Sequence, residues 1–196
     1  MGFLLLPNGL KEIQYFAFSN LDKVTKVEIP NSVKIIGKGA FSFCYCLNCV
    51  NFEEGSKLEK LQEISFLRTK ITSFQIPENV NSIIVNFIPI EKLTNLTIHP
   101  KNMYLKFSEN AIISANGSVL FAIYNKSIQT YEIPNTITTI YENCFYESKI
   151  ISIIIPEKVN KIGDHAFYWC KFLKKYYIFR TFRIHRSEYI FFLCRS

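Results

Sequence analysis

The sequence has no apolar run long enough to cross a membrane and none of the common catalytic motifs. A transmembrane helix needs about 18 consecutive uncharged apolar residues, and the chain contains no such run. The HExxH, GxSxG and Walker patterns are also missing, which removes the usual sequence signs of a metalloprotease, a serine hydrolase or a P-loop enzyme. We therefore expect no transmembrane segment, no cofactor and no enzyme activity.

The first ten residues, MGFLLLPNGL, do not resemble a secretory signal peptide, because they have no basic start and only a short apolar run. Leu4, Leu6 and Pro7 instead follow the repeat described below. We expect the chain to begin inside a repeat array, as a fragment does, or to have a partner that covers its first repeat.

Positive charge is concentrated at the end of the chain. The net charge is +7, and residues 171–196 carry six of these charges, from seven Lys and Arg against one Glu. The first 170 residues are therefore nearly neutral. Because a nucleic-acid-binding domain shows a clustered basic face, we expect no specific nucleic-acid partner for the body of the chain.

Internal repeats organise the sequence. The phrase VEIPNSVKIIGKGAFSFC at residues 27–44 recurs as IIIPEKVNKIGDHAFYWC at residues 153–170, and weaker copies lie between them. Each copy has an apolar residue, usually followed by Pro, which we take as its reference position. These are Leu6, Ile29, Phe52, Ile76, Ile98, Ile133 and Ile155. Twelve residues later, or fourteen in one copy, comes a large apolar residue preceded in most copies by a small one: Phe18, Phe41, Phe66, Ile88, Phe145 and Phe167.

Each copy is typical of one turn of a coil. The apolar and polar alternation around Val27 and Ile29 predicts a half-buried strand. Pro then ends the strand, because it cannot donate a backbone hydrogen bond. The small-Phe pair predicts a short helical turn whose ring enters the core. Because one such copy cannot bury its own apolar side, the copies should stack into a solenoid with a parallel sheet along one face.

The pattern L-x-x-I-x-I-P-x-x-V-x-x-I-G-x-x-A-F-x-x-C resembles the BspA-like class of leucine-rich repeat. The resemblance implies an α/β repeat solenoid: a right-handed coil with a parallel sheet on one face, short helical turns opposite and one inserted β-hairpin. It also implies a surface antigen or an adhesion-type binding module without catalytic residues. Cell-surface localisation follows from the resemblance alone.

The repeat covers residues 1–178 in about seven units, and residues 179–196 form a basic, aromatic tail outside the pattern. One step, from Ile98 to Ile133, is longer than the others and contains a hairpin island near residues 103–126. Asn116-Gly117 lies there between two β-rich runs and predicts a type I′ turn. The tail fits a degenerate cap or sequence that has left the repeat better than it fits a membrane-binding patch.

Three cysteines, Cys44, Cys46 and Cys49, lie close enough in sequence to raise the question of a metal site. A structural zinc site needs four ligands, usually as two separated pairs. Cys44 also has a place in the repeat, since Cys170 occupies the same position. We predict no metal site and leave a metal or a disulfide as the alternative.

Gly37-Lys38-Gly39 matches only part of a dinucleotide-binding fingerprint, because the third Gly is missing. Gly37 recurs as Gly163 in the other strong copy. We therefore interpret Gly37 as a structural residue of the repeat.

The outward positions of the predicted strands form a mostly neutral, polar ladder over at least six turns, and we predict that a ligand binds across it. Its members are Glu28, Asn51, Ser73, Gln75, Asn95, Thr97, Thr130 and Glu132. The partner we expect is a protein or a glycan. The alternatives are an intracellular scaffold repeat without a ligand on this face and, more remotely, an enzyme.

Overall fold

The computed structural model describes residues 2–84, 87–88 and 93–178. The chain divides into two compact units, Met1–Leu105 (unit 1) and Lys106–Ser196 (unit 2). The predicted tail, residues 179–196, lies outside the described residues. The strands in chain order are β1 (Gly2–Leu5), β2 (Glu12–Ile13), β3 (Val24–Ile29), β4 (Ile35–Ile36), β5 (Cys49–Phe52), β6 (Lys60–Leu61), β7 (Ser73–Ile76), β8 (Ser82–Ile83), β9 (Asn95–Ile98), β10 (Leu105–Ser108), β11 (Ala111–Ser114), β12 (Val119–Ile123), β13 (Thr130–Glu132), β14 (Thr139–Ile140), β15 (Ser152–Ile155), β16 (Lys161–Ile162) and β17 (Lys175–Ile178).

The predicted strands pair in parallel with the strand of the next coil. In unit 1 they form the sheets β1-β3-β5 and β7-β9, and in unit 2 the sheet β13-β15-β17. Val27 and Ile29 are fully buried, while Glu28 between them faces outward. The alternation read from the sequence is therefore confirmed, and each coil contributes one strand to a parallel sheet.

A second parallel sheet runs through each unit and is built from very short strands. In unit 1 its order is β2-β4-β6-β8, and in unit 2 β12, β14 and β16 continue in the same way. Ile36 pairs with Leu61, and Leu61 with Ile83, so the inward residues of successive coils lie side by side. Strands of two residues are too short to show an alternating pattern, which is why the sequence predicted no strand here.

The segment around each core phenylalanine, which we call the turn segment, is a run of turns and not a helix; the described residues contain no helix. The prediction of short helical turns was wrong. In five coils a residue with positive φ lies two positions before the core phenylalanine and another two positions after it. These pairs are Phe16 and Asn20, Gly39 and Phe43, Ile64 and Arg68, Asn143 and Glu147, and His165 and Trp169. Left-handed residues at this spacing prevent a right-handed helix from extending beyond one turn.

Backbone hydrogen bonds between coils hold the turn segments in this conformation. The N–H groups of Phe41 and Phe43 donate to Ser65 and Leu67 of the next coil, both at 2.7 Å. The N–H group between them, that of Ser42, donates within its own coil to Gly39 at 3.0 Å. Alternate N–H groups thus bond between and within coils, which gives the solenoid a third ladder besides its two sheets.

The phenylalanines form the centre of the core, as the sequence predicted. Phe41 and Phe66 are fully buried and stack at 5.4 Å between ring centroids, with their planes parallel to within 1°. In unit 2, Phe145 stacks on Phe167 at 4.9 Å and 11°. Ile88 in unit 1 is also buried. We call the stacked phenylalanines within each unit the phenylalanine column.

In the island, β11 and β12 pair antiparallel, with an irregularity at Ile112/Ile113. The turn differs from the predicted type I′ turn, which needs positive φ at both central residues: φ is positive at Gly117 and not at Asn116. The N–H of Gly117 donates to Ser114 at 2.8 Å, and Asn116 Oδ1 accepts the Ser118 N–H at 3.1 Å. The side chain of Asn116 thus stabilises a longer loop.

The second strand of the hairpin belongs to the coil. β12 pairs in parallel with β14, where Leu120 lies beside Ile140. The N–H of Ile123 donates to Cys144 at 3.2 Å, and both Leu120 and Ile123 are fully buried. The first strand of the inserted hairpin therefore lies outside the repeat pattern, and its second strand is part of the core of unit 2.

The recurring glycines are places of close backbone approach. An added Cβ on Gly37 would lie 2.7 Å from the carbonyl oxygen of Ile13, and one on Gly163 would lie 2.5 Å from the backbone nitrogen of Glu142. Neither position needs a positive φ. The structural interpretation of Gly37 is confirmed, and its physical cause is the tight stacking of successive coils.

Candidate ligand-binding face

The predicted site residues lie on the outward positions of the long strands, which we call the long-strand face. In unit 1, Glu28 on β3 pairs with Asn51 on β5. Ser73 and Gln75 on β7 pair with Asn95 and Thr97 on β9. Because parallel strands lie about 4.8 Å apart, each pair presents two neighbouring polar groups. Within each of these two sheets the predicted outward residues lie side by side.

Unit 2 carries the remaining two predicted residues on one strand. Thr130 and Glu132 on β13 are exposed, and they pair with Ser152 and Ile154 on β15. Tyr177 on β17 continues the row of Glu132 and Ile154. This row thus changes from charged to apolar and aromatic along three strands, while the neighbouring row of Thr130 and Ser152 ends on Lys175.

The face is not one continuous hydrogen-bonded ladder over six turns, which corrects that part of the prediction. β5 and β7 belong to different sheets, and so do β9 and β13. The break after β5 follows the two extra residues near Glu53-Glu54-Gly55-Ser56, where the other copies continue with Pro. Within unit 1, a ligand of the face therefore meets one platform of three strands and another of two.

Two exposed apolar residues at the start of the face were missed by the sequence analysis. Phe3 and Leu5 on β1 are 47% and 74% exposed. The Lys26 ammonium lies 5.4 Å from the centre of the Phe3 ring, a distance that favours a cation–π contact. The alternation of GFLL could have revealed both positions, since Leu4 and Leu6 already marked the inward ones.

Three of the cysteines have hydrogen-bond partners. The Cys44 thiol donates to the carbonyl of Phe18 at 3.1 Å, and burial raises the pKa of that thiol. Cys170 donates in the same way to Phe145 at 2.9 Å. Cys49 contacts Asn51 Oδ1 at 3.4 Å. Within residues 2–84, 87–88 and 93–178, no group of three His, Cys, Asp or Glu side chains is placed to hold a metal ion.

The long strands pair in parallel from coil to coil and the phenylalanines stack, and the repeat is 22 to 24 residues long except for the step that holds the island. These features define a solenoid of the leucine-rich repeat kind. The family model described as "BspA type Leucine rich repeat region" matches residues 3–115 and 112–196, with six copies. The chain belongs to this family.

Solved structures of bacterial proteins share the fold. The chain is 22% identical to the pneumococcal vaccine antigen PcpA, with a TM-score of 0.65. The alignment covers 86% of this chain and 43% of PcpA. A leucine-rich repeat protein from Eubacterium ventriosum is 17% identical, with a TM-score of 0.66. That alignment covers 92% of this chain and 61% of the Eubacterium protein. A leucine-rich cell surface protein from Faecalibacterium prausnitzii is 27% identical, with a TM-score of 0.59. That alignment covers 83% of this chain and 44% of the Faecalibacterium protein.

The chain thus spans less than two thirds of the length of each of these three proteins. A comparison with curated proteins returned no match. In the part of the chain that the structure describes, no helix has the length and apolar character needed to cross a membrane.

Proposed function

We propose that this chain is a non-enzymatic binding module of a cell-surface protein, and that its ligand, a protein or a glycan, binds across the long-strand face. The observation that supports this proposal is the side-by-side register of uncharged polar residues on β7 and β9. Ser73, Gln75 and Asn95 are exposed there, and Thr97 is partly exposed. Amides and hydroxyls in adjacent rows can donate and accept hydrogen bonds at fixed spacing. Solenoids commonly use such extended faces for recognition.

Surface placement is supported by the relatives. PcpA is described as a vaccine antigen, and the Faecalibacterium protein as a cell surface protein. The alternative is an intracellular scaffold repeat that leaves the face empty. Labelling the native protein on intact and on permeabilised cells separates the two, because only a surface protein is labelled before permeabilisation.

A double substitution, Gln75→Arg with Thr97→Arg, tests the binding face. The two residues are paired on neighbouring strands, so two arginines there place bulk and charge in the middle of a neutral platform. The probes are a printed glycan array, immobilised mucin and immobilised serum glycoproteins. We expect binding to the responding probe to fall about tenfold or more, which corresponds to ~1.4 kcal/mol, with an unchanged urea midpoint.

A matched control carries the same two charges elsewhere in unit 1. Gln14 and Asn81 are exposed and lie beside the short-strand sheet, so Gln14→Arg with Asn81→Arg should leave binding intact. Binding should also depend only weakly on salt, because few charges lie on the face. An affinity that ignores the Gln75 and Thr97 change but falls with Ala115→Arg would move the site to the hairpin loop.

A further inference from the structure

Unit 2 carries a row of aromatic side chains on its turn segments, away from the long strands. The row consists of Tyr146, Tyr168 and Trp169 and is called the aromatic row below. The rings of Tyr146 and Tyr168 are 5.8 Å apart at 30°, and those of Tyr168 and Trp169 are 6.0 Å apart at 31°. Tyr168 is 37% exposed and Trp169 is 48% exposed. The row therefore offers several aromatic surfaces of similar orientation to solvent.

The repeat fold does not require aromatic residues at these positions. The position directly after the core phenylalanine is Ser19, Ser42 and Leu67 in the coils of unit 1. The next position is Asn20, Phe43 and Arg68 there, with positive φ in each case, as at Trp169. Because serine and asparagine satisfy the same backbone, the aromatic row is not explained by folding.

The backbone beneath the row is fixed by one hydrogen bond between the two coils and one within the second coil. The N–H of Glu147 donates to the carbonyl of Tyr168 at 3.0 Å, and the N–H of Tyr168 donates to His165 at 2.9 Å. His165 packs edge-on against Tyr168 at 5.3 Å. The Lys171 ammonium lies 4.6 Å from the centre of the Trp169 ring, which helps to hold that ring. Rigid rings lose little freedom when a ligand binds.

Acidic and basic groups both lie near the row, and the Lys126 ammonium donates to the carbonyl of Tyr146. Glu147 and Asp164 are exposed on these turn segments, and so are Lys149 and Lys171. An anionic ligand would meet both carboxylates, and a purely apolar ligand would leave all four charges without a partner. A pyranose ring suits this mixture, because its C–H face can stack on the negative face of an aromatic ring. Its hydroxyl groups can donate to carboxylates and accept from ammonium groups.

We propose that the aromatic row is a binding platform for a neutral saccharide, separate from the long-strand face. Binding here involves no covalent step. The platform adds a second mode of attachment to the module, which neither the resemblance to the family nor the strand register predicts. It is independent of the proposed function, since a ligand could occupy either surface alone.

The sequence provides a direct reporter of this site, because Trp169 is the only tryptophan of the chain. The full chain is titrated with maltotriose, cellotriose and an N-acetylglucosamine trimer while its tryptophan emission is recorded. We expect a saturable change with at least one of these neutral sugars, and an affinity that changes less than about twofold between low and high salt. Heparin and decaproline serve as acidic and proline-rich probes.

A double substitution removes the aromatic row by replacing two of its residues with those at the equivalent positions of the first coil. Tyr168→Ser with Trp169→Asn recreates the pair Ser19-Asn20, whose Asn has a φ of 64° against 60° for Trp169. We expect this variant to keep its urea midpoint, followed by circular dichroism, and to lose at least tenfold in affinity for the responding sugar by calorimetry. Phe172→Ser, at another exposed aromatic residue (53% exposed), is the control that should keep binding.

The proposal is overturned if none of the three neutral sugars changes the emission. It is also overturned if only heparin or decaproline gives a saturable change, or if the Phe172 and the double variants lose affinity equally. The Gln75 and Thr97 double variant should still bind the sugar, so failure of this site and failure of the long-strand face are distinguishable.

Discussion

Replacing Phe145 by Ala should destabilise unit 2 by several kcal/mol. The side chain is fully buried, stacks on Phe167 at 4.9 Å and meets the Tyr131 ring at 5.9 Å. Burying a phenylalanine side chain is worth roughly 1.5–3 kcal/mol, and each aromatic pair adds about 0.5–1.5 kcal/mol. The sum agrees with the roughly 3–5 kcal/mol observed for Phe to Ala changes in cores that cannot collapse. Coils tied by three hydrogen-bond ladders are such a core.

Urea unfolding followed by Trp169 emission measures this loss, because Trp169 and Phe145 both belong to unit 2. The difference in the free energy of unfolding is the shift in midpoint multiplied by the slope. Phe172→Ala is the control, since that ring is 53% exposed and its loss should cost less than about 1 kcal/mol. A cost below about 1 kcal/mol for Phe145→Ala as well would refute the role of the phenylalanine column.

Two further changes test the packing of the coils and the state of a buried thiol. Gly163→Ala should cost about 1–3 kcal/mol in urea unfolding, because its Cβ would lie 2.5 Å from the backbone of Glu142; an unchanged midpoint would contradict the close approach. Burial raises the pKa of the Cys144 thiol, so the unfolded chain loses this proton at lower pH than the folded one. Stability should therefore be complete below about pH 8.5 and fall above it. Cys144→Ala, with the alanine that Ala40 provides at the same position of another coil, should reduce the loss of stability above this pH. An identical pH profile for the variant and the original chain would contradict the role of Cys144.

The phenylalanine column could be predicted from the sequence because its signal is redundant. Phe41, Phe145 and Phe167 recur at one distance from a proline and follow a small residue. A single substitution would not hide such a pattern. The same redundancy identified the strand positions and, through them, the outward residues of the candidate face. That a ligand binds there stays a prediction.

The conformation of the turn segments could not be predicted, because the residues with positive φ there are mostly of types that do not favour it. Of ten positions with positive φ that flank the core phenylalanines, only Gly39 is glycine, and Ile64 is β-branched, which disfavours this region. Hydrogen bonds between coils impose the conformation. A small residue followed by phenylalanine predicts a helical turn when only the local sequence is considered. The hydrogen bonds to the neighbouring coil hold the backbone in a different conformation.

The break in the long-strand face was visible in the sequence only as a change of length. The copy that starts at Phe52 has fourteen residues instead of twelve before its core phenylalanine, and the extra residues lie around Gly55. Their effect on strand pairing, which separates β5 from β7, depends on how the longer loop repositions the next coil. Periodicity within a copy carries no information about that displacement.

The left-handed position after each core phenylalanine accepts very different chemistry on one backbone. Asn20, Phe43, Arg68, Glu147 and Trp169 occupy it with φ values between 55° and 64°. None of these five residues is buried, and four of them are exposed, so we expect a change of identity there to leave the interior undisturbed. A chain assembled from such coils can acquire new surface specificities by single substitutions, without a compensating change in its core.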